Sequence, residues 1–277
     1  MTRLTIALLG VLVLRATPAQ AFACLTNGSQ CLRWNDGHAT VKSFLGNPGT
    51  PLINGSLSWD QNAINAANDW NAVGAAFHYD VQVGGDFFPP CGAAGPGHVC
   101  PNTGPVGDNP VMFANNFCGR DFFGDIIELT HNCWDIRSGT MLNAPVFVNG
   151  NVQWNAYDGP IRFSGGSAVN DIRRVLLHEF GHVLGLDHPD HGLCNAAAIM
   201  NSCEINIDRL QPDDIAGIFA IYPNGAPPPS SGNGTTTGCQ IEMSDRSGGA
   251  WASVVAVAFA LSAALNRRRR SRRFLLR

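Results

Sequence analysis

The segment His178-Glu179-Phe180-Gly181-His182-Val183-Leu184-Gly185-Leu186-Asp187-His188 limits what this chain can fold into more than any other stretch. It reads HExxHxxGxxH, a pattern that average composition would produce by chance in about one chain of this size in ten thousand or fewer. Residues four apart share one face of a helix, so His178 and His182 would present two imidazoles to a single ion. Glu179 would reach a water on that ion without being a ligand itself. Gly185 would end the helix, because glycine enters the left-handed backbone region at little steric cost. The chain would then turn and bring His188 back as a third ligand, leaving the fourth position for water. An ordinary amphipathic helix with scattered histidines has no need of that spacing.

The two ends of the chain read as addresses rather than as fold. Met1-Thr2-Arg3, an apolar run from Leu4 to Leu14 and the small residues Ala19-Gln20-Ala21 have the order of a secretory signal peptide, assigned to residues 1–21. The apolar run is too short to span a bilayer comfortably as a retained anchor. At the other end, Pro227-Pro228-Pro229, Ser230-Ser231 and Thr235-Thr236-Thr237 lie in a composition that cannot build a core, and residues 225–238 are read as a linker. Residues 239–277 then carry Cys239, an apolar segment from Trp251 to Leu265 and the cluster Arg267-Arg268-Arg269-Arg270. The apolar segment is marginal as a spanning helix, and the arginines would stay on the cytoplasmic side as a stop signal. This end resembles the short bacterial C-terminal sorting tails of the MYXO-CTERM kind. The resemblance covers about the last forty residues and implies processing near Cys239 and attachment to a membrane or the cell surface.

Between these ends, residues 22–224 are assigned to one catalytic domain. Residues 22 to 238 hold eight basic residues against 19 acidic ones. An acidic exported domain would be repelled by nucleic acid and by anionic membrane surfaces, so no nucleic-acid partner is expected. The acids would suit Ca²⁺, but no spaced loop of the EF-hand type occurs, and the sequence assigns no calcium site. Of the nine cysteines, eight precede Cys239, an even number that suggests disulfide bonds in an oxidising compartment. Eight cysteines allow 105 pairings, so connectivity does not follow from the sequence. Proximity along the chain suggests Cys24/Cys31, Cys91/Cys100, Cys118/Cys133 and Cys194/Cys203.

Periodicity places the remaining elements. Ala63, Ile64, Ala67 and Trp70 fall on one stripe of a helix that Asp60 would cap. Ala76 to Val81 and Ile126 to Thr130 read as strands. So does Ala144 to Val148, with Pro145 suggesting an edge position because proline donates no ladder hydrogen bond. Phe87 to Asn116 reads as a long loop rich in Gly, Pro and Asn. Asn170 or Asp171 would open the helix bearing the histidines, with Ile172, Val175, Leu176, Phe180 and Val183 as its apolar stripe. A last helix would begin near Pro212-Asp213-Asp214 and dock through Ile215, Ile218, Phe219 and Tyr222.

Taken together, His178 to His188, Ala198-Ile199-Met200 and Leu210-Gln211-Pro212-Asp213-Asp214-Ile215 resemble the metzincin metalloproteases, and within that clan the matrixin branch. The resemblance implies an α+β zincin fold: a twisted mixed β-sheet packed with an active-site helix, a methionine turn and a C-terminal helix. It places Met200 in a structural methionine turn beneath the metal. It implies one catalytic Zn²⁺ on His178, His182 and His188, with Glu179 as general base for the zinc-bound water. The implied activity is a zinc metalloendopeptidase, secreted or on the bacterial cell surface, acting on protein and peptide substrates and expected to be monomeric. The alternative is a catalytically inactive zinc-binding surface adhesin. His191 is the one nearby candidate for a fourth ligand. Pro189 after the third histidine is more like the serralysin branch. The absence of a tyrosine soon after Met200 argues against a tyrosine ligand of the astacin kind. Pro90-Cys91-Gly92 is similar to the matrixin cysteine switch, but a disulfide is the expected use of Cys91.

Overall fold

The computed structural model describes residues 22–91, 106–224 and 237–245. The expected signal peptide, Cys100, most of the expected linker and the apolar segment from Trp251 lie outside the described residues. In chain order the main elements are β1 (His38–Ser43), α1 (Trp59–Asn71), β2 (His78–Val83), β3 (Asn109–Ala114), β4 (Ile126–Asp135), β5 (Thr140–Asn143), β6 (Val146–Asn149), α2 (Ile172–Leu184), α3 (Pro212–Ile221) and β7 (Thr237–Asp245). One mixed sheet runs β7-β4-β6-β3-β1-β2, with β5 also paired to β4. Strand β1 is parallel to β2 and β3, and β3 is parallel to β6. Strand β4 reverses, running antiparallel to β6 on one edge and to β7 on the other. The architecture is α+β, as expected.

Helix α1 is the crossover between the parallel strands β1 and β2, a connection that needs a helix's length to return the chain to the same end of the sheet. Its N-cap is Ser58, whose hydroxyl accepts from Gln61 N (3.3 Å), and not Asp60 as the sequence suggested. Asp60 sits in the first turn with its carboxylate turned away from the helix. It accepts from Ser43 Oγ (2.5 Å), Leu45 N (3.0 Å) and Gly46 N (3.1 Å), so it ties the chain leaving β1 to the helix. Two strand expectations also change. Val146 to Asn149 lies between β3 and β4 and is interior, whereas β4 and the β7 laid against it form that side of the sheet. Pro145 is compatible with this because it stands just before the strand, where its carbonyl accepts from His131 N (2.9 Å). The supposed loop from Phe87 to Asn116 contains β3, a central strand whose Pro110 hid its pattern.

Three disulfides tie the described residues: Cys24–Cys31, Cys91–Cys118 and Cys194–Cys203. The first and last match the sequence-local pairing. The middle one replaces both Cys91/Cys100 and Cys118/Cys133. Strand β3 carries the chain into the sheet and out again, which brings Cys118 to 5.2 Å from Cys91 between Cα atoms. Among the described residues no helix is long and apolar enough to cross a membrane.

The core forms around α2, of which every residue except Arg173 is buried. The expected one-sided stripe is thus too narrow, since Leu177 and Leu184 are buried as well. Such a helix must have its polar groups matched on all sides. Its last turn leaves carbonyls without helical partners. Trp34 Nε1 donates to Val183 O (2.8 Å) and Tyr222 Oη to Leu184 O (2.8 Å). Farther back, Trp70 Nε1 donates to Leu177 O (2.9 Å) and Tyr79 Oη to Phe180 O. Helix α3 supplies Ile218, Ile221 and Tyr222 to this core, while Ile215 and Phe219 are only half-buried.

Gly185 closes α2 at φ +111°, and a Cβ there would stand 2.5 Å from the Leu32 carbonyl oxygen. Backbone strain and close approach act at the same residue. Gly185→Ala is therefore expected to cost on the order of 2 kcal/mol or more, read as a lowered midpoint in thermal or denaturant unfolding.

Candidate metal centre

The three histidines of the motif converge. His178 and His182 project from successive turns of α2, and His188 returns after the glycine-closed helix end. Their Nε2 atoms form a near-equilateral triangle: 3.0 Å between His178 and His182, and 3.1 Å from each of these to His188. Four-coordinate zinc at its usual bond lengths sets ligand nitrogens about 3.3 Å apart, so the triangle has the size of one face of such a site.

The tautomers support the same reading. A carbonyl oxygen can only accept, so the Nδ1 of His178 facing Ile199 O (2.7 Å) carries the proton, as does the Nδ1 of His182 facing Leu186 O (2.9 Å). Their Nε2 atoms are then lone pairs aimed at one another, an arrangement that a cation between them stabilises. Burial pushes the His178 imidazole down to about 4 and holds those of His182 and His188 well below the usual histidine range, with the neighbouring imidazoles acting in the same direction on the latter two. All three are kept neutral, the form that ligates a metal. These are the only His, Cys, Asp or Glu side chains among the described residues that gather in threes at metal-binding distance. His191 is exposed and is not part of the group, so the fourth-ligand candidate is not brought in.

The loop that carries His188 is held from several sides. Asp187 Oδ1 accepts from His188 N (2.7 Å), and Leu186-Asp187 pairs antiparallel with Ala23-Cys24. The start of the described domain is thereby woven into the wall of the site. Asp190 accepts from Ser202 Oγ (2.8 Å) and Ser202 N (3.2 Å), linking this loop to the turn that follows Met200.

Met200 lies directly under α2. A Cβ on Gly181 would fall 2.1 Å from its Sδ, so the glycine inside the HExxH stretch is the space the methionine occupies. Asp214, at the start of α3, clamps the turn by accepting from Ile199 N (2.9 Å), Met200 N (3.1 Å) and Gln211 N (2.7 Å). In the sequence Asp214 belongs to the Leu210 to Ile215 stretch of the family resemblance and reads as an acid favoured at a helix N-terminus.

Glu179 is fully buried, and burial pushes its carboxyl up to about 8 against the opposing hydrogen bond from Thr130. Thr130 Oγ1, on β4, donates to Glu179 Oε2 at 2.6 Å. That contact ties the carboxylate of α2 to the middle of β4. Sequence reasoning missed Thr130 because a threonine in a strand carries no signal of its own. Glu128 occupies the same face of β4, two residues away. Its carboxylate oxygens are buried with no hydrogen-bond partner among the described residues. Burial first, then the negative charges of Glu179 and Glu204, hold its carboxyl well above the usual carboxylate range. Beside the cradle, Arg174, Val175, His178, Ile199, Glu204 and Ile207 line a small pocket.

A buried helix offering three neutral imidazoles and a glutamate, over a methionine turn, defines a centre of the metzincin kind. The chain belongs to the matrixin family, whose family model matches residues 57–223. Matrixins are metalloproteases that normally bind zinc and are mostly extracellular or cell-surface proteins. Among curated proteins, human matrix metalloproteinase-23 is 28% identical over 103 residues, covering 35% of this chain and 26% of that protein. Rat matrix metalloproteinase-16 is 38% identical over 63 residues, covering 22% of this chain and 10% of that protein. The chain thus spans 26% and 10% of the length of these two relatives.

Because the folded protein keeps Glu128 protonated, it holds a proton that the unfolded chain releases once pH rises above the ordinary glutamate range. Stability from this group is therefore present below that range and lost as pH rises. Glu128→Gln removes the penalty, so the variant's melting temperature should gain on the wild type from pH 4 to pH 8. A constant difference across that range would contradict this assignment.

Proposed function

We propose that this chain is a zinc-dependent endopeptidase, exported from the cytoplasm and attached to the cell surface through its C-terminal tail. The observation that carries the reading is the three-imidazole cradle on the helix whose buried Glu179 accepts from Thr130. A zinc ion bound by His178, His182 and His188 would supply a Lewis acid that lowers the pKa of water to about 7 and polarises a peptide carbonyl.

The chain's own residues do the rest. Glu179 takes the proton of the attacking water and passes it to the leaving amine. Thr130 keeps one carboxylate oxygen occupied, leaving Oε1, which has no hydrogen-bond partner among the described residues, to meet that proton. Met200 shapes the floor of the centre by packing, and the Asp214 clamp keeps that floor in place. The three disulfides suit an oxidising compartment, in keeping with export. The adhesin alternative gives no reason for a buried general base kept in position by a dedicated hydroxyl.

Glu179→Ala should retain one zinc per chain, measured by atomic absorption, and lose cleavage of casein or gelatin. Wild-type cleavage by that variant would remove the proposal. Thr130→Val keeps the shape of the side chain and deletes its donor. It is expected to lower kcat/KM by about ten- to a hundredfold with zinc content unchanged, the usual cost of losing a group that orients an active-site residue.

A further inference from the structure

The residues Thr237 to Asp245 straddle the boundary between the expected linker and the expected tail, yet they form β7 and lie along the outer edge of β4. The pairing is antiparallel and extends from Thr237 opposite Asp135 to Asp245 opposite Ile126, with Glu242 opposite Thr130. Thr130 is the residue whose hydroxyl holds Glu179. The inner edge of β4 is already used by β5 and β6. An extended peptide that pairs with a strand beside the histidines would therefore have to use the edge that β7 occupies.

We infer that this chain's own segment 237–245, paired along the outer edge of β4, keeps an extended substrate peptide off that edge and so restrains the enzyme. The inference rests on the endopeptidase reading. It also accounts for something that reading leaves open, which is how the site is kept from cleaving peptides indiscriminately. A bare β4 would expose an unpaired ladder ten residues long, a surface that invites pairing with any extended chain. With β7 in place, substrate has to wait for that strand to leave. If the edge is free in one molecule in ten, the apparent affinity for substrate falls about tenfold.

The test uses the full chain and its double variant Gln240→Pro/Ile241→Pro. Adjacent prolines remove two successive amide donors from β7, one of which faces β4 whichever way the ladder is phased. Backbone amide exchange along residues 126–135, followed by mass spectrometry, should be at least tenfold faster in the variant. With zinc bound to both proteins, kcat/KM on a fluorogenic peptide should rise about tenfold, mostly through KM. A synthetic peptide of residues 237–245 added to the variant should restore inhibition competitively. Unchanged exchange would show that the segment does not hold the edge, and equal kcat/KM would show that holding it does not regulate access; either overturns the inference. If both proteins bind zinc and neither cleaves any peptide, the endopeptidase reading fails and the inhibitory role fails with it, while the exchange result still decides separately whether the edge is occupied.

Discussion

Helix α2 can carry a metal centre because its backbone is satisfied while it is buried on nearly every side. A helix in that position has no water to meet the carbonyls that its last turn leaves open. Trp34 and Tyr222 supply those donors from opposite ends of the described domain. Trp70 and Tyr79 add second acceptor contacts at Leu177 and Phe180. The four aromatic side chains thus do two jobs, filling the core with apolar surface and clamping the helix through their polar tips. With α2 immobile, His178 and His182 keep one direction, and a third imidazole placed by a loop can close the triangle.

The loop elements are fixed by carboxylates. Asp60 holds the exit of β1 to α1, Asp190 joins the His188 loop to Ser202, and Asp214 joins the methionine turn to α3. In each case one buried or nearly buried acid accepts more than one hydrogen bond across a chain break between elements. These devices replace regular structure in a domain rich in Gly and Asn, where ladders alone would leave the walls of the centre loose. The disulfide Cys194–Cys203 acts in the same region, bracketing the turn from the outside.

Strand β4 connects this scaffold to function. Its Thr130 reaches inward to Glu179, and its outer edge meets Thr237 to Asp245. The hydroxyl that holds the proposed base and the ladder that would seat a peptide therefore belong to one strand. Glu128 on the same face adds a carboxyl that burial, and then the charges of Glu179 and Glu204, hold well above the usual carboxylate range.

The sequence by itself singled out His178, His182 and His188 as candidate ligands, Glu179 as the candidate base, Met200, and the helix end at Gly185. These depend on spacing within one helix and one short loop, where 3.6 residues per turn and the freedom of glycine leave little choice. It also placed α1, α2 and α3 close to their observed positions, through apolar periodicity and capping residues. Asp60 lost its expected role because a short carboxylate in a first turn serves a neighbouring loop as readily as its own helix. Val146 to Asn149 proved interior and Cys91 found Cys118, because strand order and the return path of β3 depend on contacts between distant segments. Thr130, the Asp214 clamp and the pairing of β7 with β4 were decided only by the tertiary structure. Each is a meeting of residues far apart in the chain, and no local pattern records which partner a hydroxyl, a carboxylate or a strand edge will find.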